Sequence, residues 1–202
     1  MLMDENALIQ DAKQGDVNAF NHLVITYQQL AYNVAYRIMG DPQLAEDRTQ
    51  EAFISAYQNL NQFRGGSFKS WLLRIVTNSC YDELRRYKRR PQSSLEEMTD
   101  ESESWDFLQN DDDTPEQFQQ RVEMVKAIEA CLQALPDEQR IVAVLCDVEG
   151  FDYQEIAHIT KNALGTVKSR ISRARARLRD CLQSLFGELL PDNYRLGSEG
   201  TN

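Results

Sequence analysis

Residues 151–185 contain a short amphipathic segment, a turn, and a long segment that is apolar on one side and basic on the other. Asp152 and Glu155 have the three-residue spacing of a helix capping box. The first helix is therefore expected to begin after Asp152 and to end before a turn formed by Lys161 and Asn162. The side chain of Asn162 is suited to cap the helix that follows.

The second helix is defined by an apolar stripe whose members recur at steps of three and four: Leu164, Val167, Ile171, Ala174 and Leu178. Its other faces have no acidic residue between positions 164 and 179, and they carry Lys168, Arg170, Arg173, Arg175, Arg177 and Arg179. A short helix, a turn and a long helix of this kind are typical of a helix-turn-helix unit that binds DNA. A solvated surface helix, or a docking surface for an acidic protein, would carry a similar charge.

The residues around this unit resemble the C-terminal promoter-binding domain of bacterial sigma factors, specifically the small extracytoplasmic-function (ECF) group. The matching segments are LPDEQR at 135–140, EG at 149–150, YQEIA at 153–157, GTVKSR at 165–170 and RAR at 173–175. The resemblance implies that the long helix enters the major groove of the upstream (−35) promoter box. The candidates for contact with its bases and phosphates are Lys168, Ser169, Arg170, Ser172, Arg173 and Arg175. Lys161 departs from the family pattern, in which Gly is common in the turn.

Caps and apolar stripes in the first part of the chain predict four helices: 4–14, 16–39, 42–60, and one from Ser67 to the basic run at 85–90. This half resembles the sigma domain that binds core RNA polymerase and opens the promoter, through AEDRTQEAF at 45–53, FR at 63–64, SFKSWL at 67–72, and Ile75, Asn78 and Asp82. The resemblance implies contact with the clamp helices of the largest polymerase subunit through Asp47, Gln50, Glu51 and Ile54. A solvated acidic face is the alternative. For the chain as a whole, the resemblance also implies contact with the flap of the second-largest polymerase subunit.

Promoter opening needs groups that stabilise unpaired bases, and stacking on an aromatic side chain contributes about 1–3 kcal/mol per base. The fourth helix ends in a basic run that can hold phosphates, and the candidates for the downstream (−10) box are Phe68, Trp71, Asn78, Arg85, Arg86 and Lys88. For Trp71 a core position is an equal alternative, since a Trp on an apolar helix face is usually buried. Arg48 departs from the family pattern: either its stem lies along apolar surface, or it makes a contact particular to this protein.

Residues 91–120 carry 10 acidic and no basic side chains, and they hold most of the acid excess in a chain of formal charge -10. This composition predicts a disordered linker. The expected fold is all-α, with a helical domain at 1–90, a helix-turn-helix domain at 121–186 and a flexible tail at 187–202. When stretched, the linker spans up to about 100 Å, enough for two promoter boxes about 70 Å apart. Its acidity could also compete with nucleic acid for the basic surfaces.

The sequence contains no nucleophile motif, no cluster of His and carboxylates and no phosphate-binding glycine loop, so we predict no enzymatic activity, no cofactor and no metal. Four widely separated cysteines are expected to be buried free thiols in a reducing cytosol: Cys80, Cys131, Cys146 and Cys181. No segment approaches the roughly 20 apolar residues needed to cross a membrane. A soluble cytoplasmic protein without direct membrane insertion is therefore expected.

The function implied by the resemblance is that of an ECF sigma factor, which binds core RNA polymerase, reads promoter DNA at the −35 and −10 elements and helps melt it. The resemblance also implies control by an anti-sigma factor, which would hold the protein at the membrane where it is itself membrane-bound. A conventional helix-turn-helix repressor or activator is the alternative, but it leaves residues 1–90 without a role. An acidic interaction protein is a third possibility, for which charge changes on the basic helix would not matter.

Overall fold

The computed structural model of the protein describes residues 4–89 and 114–186. Within these residues the secondary structure is helical and contains no strand, which confirms the predicted all-α class. The helices are α1 (Glu5–Lys13), α2 (Val17–Met39), α3 (Pro42–Gln58), α4 (Phe68–Arg89), α5 (Pro115–Gln133), α6 (Asp137–Ala143), α7 (Tyr153–Thr160) and α8 (Leu164–Phe186). Most of the predicted linker and the whole predicted tail lie outside the described residues. No described helix is both long and apolar enough to cross a membrane.

The first four helices form one domain around α2, whose apolar stripe packs against α1, α3 and α4. Asp16 caps α2, and Gly40 ends it in the left-handed conformation with φ 72°. Asp41 caps α3, with Pro42 at its first position. These caps confirm the predicted starts of α2 and α3, because each side chain satisfies backbone N–H groups that a helix leaves unpaired at its first turn.

Three apolar residues lie at the rim of the core. Leu164, which the sequence places in the apolar stripe of α8, is 37% exposed, and Tyr57 and Ile128 are 40% and 39% exposed. The ring of Tyr57 packs against Phe20 with centroids 4.9 Å apart, but its outer side faces solvent. The helical period predicts which side of a helix is apolar, but it does not predict how far a neighbouring helix covers that side.

The second domain packs α5, α6 and α7 against α8, whose buried residues are Val167, Ile171 and Ala174. The predicted linker is wrong at its end: α5 begins at Pro115, so residues 115–120 are helical. A reciprocal capping box between Thr114 and Gln117 explains the earlier start. The acidic composition of residues 91–120 predicted a linker there, although the residues of this capping box can be read from the sequence. After α6 the chain makes a π-helical turn at Val144–Val148.

The helix-turn-helix has its predicted form. Asp152 and Glu155 complete a reciprocal capping box at the start of α7. The turn passes through Lys161, whose φ of 54° is left-handed. The predicted cap of α8 is wrong, because the side-chain amide of Asn162 donates instead to the Thr160 carbonyl at 3.1 Å. The left-handed backbone turns Asn162 back toward the carbonyl end of α7.

The prediction of four free thiols is wrong for two of them. Cys131 of α5 and Cys181 of α8 form a disulfide across the packed pair of helices. Cys80 is a buried free thiol as predicted, and Cys146 is free but half-buried. Burial raises the pKa of Cys80 to about 12. Burial and then Asp147 raise the pKa of the Cys146 thiol. The disulfide pairs residues 50 positions apart, and spacing along the sequence does not reveal such a pairing.

Candidate nucleic-acid and protein interfaces

The outer face of α8 is exposed and cationic. Val167 and Ile171 are buried beneath it, and this fixes the rotation of the helix. Lys168, Ser169, Ser172 and Arg173 lie exposed on this face, as predicted from the periodicity. The Arg173 guanidinium donates to the Ser169 carbonyl at 3.1 Å and to its hydroxyl at 3.2 Å, so its head group is held close to the helix. An exposed row of long cations and hydroxyls is suited to phosphates and base edges.

Two other predicted DNA-contacting residues of α8 already have acidic partners inside the domain. The Arg170 side chain is only 15% exposed and pairs with Glu138 at the start of α6. The Arg175 Nε donates to both carboxylate oxygens of Asp147, at 3.1 and 3.2 Å. These hydrogen bonds to Asp147 raise the pKa of Arg175 above its ordinary value. Arg175 therefore ties α8 to the π-helical turn that holds Asp147.

A second cationic stripe follows one side of α4. Its members are spaced by three and four residues, and they are Trp71, Arg74, Asn78, Tyr81, Arg85 and Lys88. The Arg85 guanidinium lies 4.2 Å from the centroid of the Tyr81 ring. Arg74 and Tyr81 were missed in the sequence analysis, although their spacing from Trp71 and Lys88 would have found them. We call these six residues the α4 stripe.

The aromatic candidates of α4 have different surroundings. Phe68 is fully buried, with ring centroids 5.6 Å from Tyr27 and 5.8 Å from Phe63. The prediction that Phe68 stacks on a base is therefore corrected, because its ring fills the core between α2 and α4. Trp71 packs on Phe63 at 5.4 Å but is only half-buried, which leaves one edge accessible. Arg86 is exposed away from the stripe and lies 3.5 Å from Glu83.

The second domain lies across the α4 stripe. Lys88 Nζ is 2.9 Å from the carboxylate of Asp137. Tyr81 Oη approaches the Glu138 carboxylate at 3.5 Å. Near the start of the stripe, Arg74 contacts the His158 ring of α7. Off the stripe, Lys69 Nζ is 3.4 Å from Glu149, and the Gln133 amide donates to the Arg37 carbonyl at 3.1 Å.

The predicted polymerase-contacting residues of α3 share an exposed face beside a groove. Asp47, Gln50 and Glu51 are exposed, and Ile54 is 58% exposed although it is apolar. The groove has a volume of about 540 Å³ and runs between α2 and α3, lined by Val24, Gln28, Gln29, Tyr32, Glu46, Thr49, Gln50, Phe53 and Ile54. The groove is lined by apolar as well as polar side chains, and contiguous apolar surface rimmed by polar residues is typical of a protein-binding site.

The structure decides between the alternatives for Arg48. Its side chain is 17% exposed and lies between two carboxylates, 2.6 Å from Glu51 and 3.4 Å from Glu83. Glu83 is 9% exposed and belongs to α4. Arg48 therefore makes a specific contact that joins α3 to α4 beneath the predicted polymerase-contacting face.

Within the described parts of the chain, no group of His, Cys, Asp or Glu side chains is arranged to hold a metal ion.

Two families match the chain in the order of its two domains. Sigma-70 region 2 matches residues 23–90, and Sigma-70, region 4 matches residues 126–178. The first match contains the α3 face and the α4 stripe. The second contains the helix-turn-helix.

Individual proteins are similar over most of the chain. The ECF RNA polymerase sigma factor SigE of Mycolicibacterium smegmatis is 37% identical over 84% of this chain, which spans 63% of that relative's length. The RNA polymerase sigma-H factor of Pseudomonas aeruginosa is 36% identical over 91% of this chain and 96% of its own. Among solved structures, the sigma factor RpoE of Bartonella quintana, co-crystallised with the anti-sigma factor NepR, is similar with a TM-score of 0.60 and 25% identity. That match covers 83% of this chain and 98% of the other.

Proposed function

Because the chain belongs to the extracytoplasmic-function family of bacterial RNA polymerase sigma factors, we propose that it reads the −35 box of promoters with α8 and the −10 box with the α4 stripe. The observation that carries the proposal is the presence of one cationic helical face in each of two domains. Two such faces can contact two separate DNA elements. The polymerase performs the chemistry, and this chain supplies recognition and strand opening.

At the −35 box, we assign base and phosphate contact to the exposed residues Lys168, Ser169, Ser172 and Arg173. A long cation can donate two hydrogen bonds to guanine, and such a contact discriminates against other bases by about 1–3 kcal/mol. Arg170 and Arg175 remain candidates, but each would exchange a carboxylate for DNA. The outward part of Arg175 is best placed for a phosphate, because its other side is held by Asp147.

At the −10 box, we assign unpaired bases to the accessible edge of Trp71 and to Asn78. Arg85 and Lys88 continue the stripe toward the C-terminal end of α4, where cations can hold the phosphates of the separated strand. Arg86 points away from the stripe, so its role is at most a phosphate contact. Phe68 has a supporting role, because its buried ring packs 5.6 Å from Trp71 and holds the indole at the surface.

We assign the groove between α2 and α3 to the clamp helices of core polymerase. Ile54 supplies an exposed apolar anchor, and Asp47, Gln50 and Glu51 supply a polar rim. An apolar centre with a polar rim is the usual arrangement of a protein interface. Ile54→Glu, which introduces a negative charge, should weaken association with core polymerase at least tenfold, since it buries an unpaired carboxylate. Val17→Glu is the matched control, because Val17 is 54% exposed at the start of α2 and lies outside the groove.

Regulation by an anti-sigma factor belongs to the same proposal. The similar structure of RpoE contains an anti-sigma factor, and the two chains share their fold over most of their lengths. We place the protein in the cytoplasm, where core polymerase acts. We assign the region 2 role to residues 1–90 and the region 4 role to the domain that begins with α5, joined by the acidic segment between them.

The test is transcription by sigma-free core polymerase on a randomised promoter library, with and without the protein, followed by sequencing of the transcripts. Start sites preceded by two boxes should appear only when the protein is present. Lys168→Ala combined with Arg173→Ala should erase the preference at the upstream box and leave the downstream preference intact, because these side chains lie on α8 alone.

The matched control is Lys126→Ala, which removes a cation from an exposed site on α5, outside α8 and the α4 stripe. It should leave both preferences unchanged. If the protein binds DNA tightly by itself but does not stimulate transcription by core polymerase, the proposal is overturned in favour of a conventional regulator.

A further inference from the structure

The contacts between the two domains cover the surface that promoter opening requires. Arg74, Tyr81 and Lys88 are seven residues apart along the α4 stripe, and each contacts the second domain. At 1.5 Å per residue, the three contacts extend over about 21 Å of helix. A separated DNA strand cannot lie along the stripe while α6 and α7 occupy it.

Two adjacent acidic residues at the start of α6 engage cations from both predicted DNA surfaces. Asp137 pairs with Lys88 of the α4 stripe at 2.9 Å. Glu138 contacts Tyr81 of the same stripe and pairs with Arg170 of α8. A charged pocket of about 370 Å³ lies at this junction, lined by Lys88, Pro136, Asp137, Glu138, Gln139, Thr166, Arg170 and Arg173. These two carboxylates therefore occupy positions where DNA phosphates would otherwise bind.

A neutral contact closes the junction at another point. The Gln133 amide donates to the Arg37 carbonyl of α2 at 3.1 Å. The same side chain packs against Gly40, where an added Cβ would lie 2.5 Å from its amide oxygen. Glycine is thus needed at position 40 both for its φ of 72° and for this close approach. Gln133 belongs to α5 and not to α8 or the α4 stripe, so changing it leaves the predicted DNA-contacting residues in place.

Resting on the proposed function, we propose that the free protein is autoinhibited by its second domain, which docks on the α4 stripe with Asp137 and Glu138 in place of DNA phosphates. Two promoter boxes about two DNA turns apart are roughly 70 Å apart, and domains in direct contact cannot reach both. Core polymerase therefore binds the opened chain. The ion pairs between the domains join exposed lysines to carboxylates that are only 4% and 20% exposed, and apolar residues of both domains belong to one contiguous buried cluster. Separation of the domains therefore needs a large partner such as core polymerase.

The closed arrangement can be tested directly with a zero-length carbodiimide cross-linker on the full chain. The reagent activates a carboxylate, and a lysine amine that touches it displaces the urea and forms an amide. The amide between Lys88 and Asp137 should be found by mass spectrometry in the free protein, since the Asp137 carboxylate is partly exposed to the reagent. It should be lost when the protein is bound to core polymerase. Its absence from the free protein, or its persistence on the polymerase, would overturn the proposal.

Inhibition is measured by binding of the free chain to a fluorescein-labelled, mixed-sequence duplex that contains an unpaired bubble. Gln133→Ala and Glu138→Gln should each tighten binding, by roughly tenfold if the closed state is favoured about ten to one. Gln133→Ala carries the argument, because it changes no charge. Glu123→Gln is the control for lost negative charge, since Glu123 lies exposed on α5, and it should change binding less than twofold.

Unchanged binding for Gln133→Ala and Glu138→Gln would refute inhibition by docking. Failure of this inference can be distinguished from failure of the proposed function. With saturating core polymerase, Gln133→Ala should initiate transcription as the unchanged protein does. If neither protein supports initiation, the proposed function fails, whatever the cross-linking result.

Discussion

The ion pair between Arg48 and Glu83 allows a quantitative test of how α3 is joined to α4. Glu83 is 9% exposed, and its loss would leave Arg48 with the 60% exposed Glu51 as its remaining acidic partner. Breaking a buried pair costs about 3–5 kcal/mol. Because Glu51 stays and glutamine still accepts a hydrogen bond, we expect Glu83→Gln to lower the free energy of unfolding by about 2 kcal/mol.

The reciprocal change, at Arg48, leaves the buried carboxylate of Glu83 without its nearest cation. Arg48→Met removes the cation nearest Glu83 but keeps an apolar stem of similar length, and Glu83 then has only the exposed Arg86, 3.5 Å away. We expect a loss of about 2–3 kcal/mol. In the double variant neither charge is left unpaired, so its loss should be smaller than the sum of the single losses by about 1–2 kcal/mol.

The assay is urea unfolding of the full chain followed by tryptophan fluorescence. The protein has two Trp, and Trp105→Phe leaves Trp71 as a reporter of the first domain alone. Arg86→Ala is the control, and its loss should stay below about 1 kcal/mol because Arg86 is 59% exposed. If the losses from Arg48→Met and Glu83→Gln simply add, to within about 0.5 kcal/mol, the reasoning about a coupled buried pair is refuted.

The remaining predictions concern a turn, a disulfide and a buried thiol. Lys161→Gly should raise the free energy of unfolding by about 1 kcal/mol in urea unfolding followed by circular dichroism, because glycine adopts a φ of 54° without the steric cost of a Cβ. Reduction of the Cys131–Cys181 bond should lower the free energy of unfolding by up to about 4 kcal/mol in the same assay, because the bond links residues 50 positions apart and restricts the unfolded chain. Native Cys80 should react with iodoacetamide at about pH 8 about a thousandfold more slowly than an ordinary thiol. Burial raises its pKa to about 12, so less thiolate is present, and the rate, followed by mass spectrometry, should rise as the pH approaches that value.

Each of these predictions has its own control. Lys161→Ala keeps the Cβ, so a gain equal to that of Lys161→Gly would contradict the backbone argument. Equal stability with and without reductant would show that Cys131 and Cys181 are not bonded in solution. Alkylation of native Cys80 as fast as that of the unfolded protein would contradict its burial.

Local sequence was sufficient for the helices, most of their ends and the exposed cationic side of α8. Asp16, Gly40 and Asp152 act on backbone groups within a few residues of themselves, so their effects can be predicted without knowing the fold. The apolar steps at Val167 and Ile171 likewise set which side of α8 is buried. The capping box at Thr114 was equally local, and only the acidity around it concealed the start of α5.

Tertiary structure alone decided which distant residues meet. Phe68 and Trp71 lie one turn apart on the same apolar side of α4, yet Phe68 is enclosed by other elements while Trp71 stays at the surface. Cys131 and Cys181 are joined because α5 packs on α8. Lys88 meets a carboxylate because the second domain lies on the first. A helical period sets the direction of a side chain from its own helix axis, but what it contacts depends on how the helices are arranged in space.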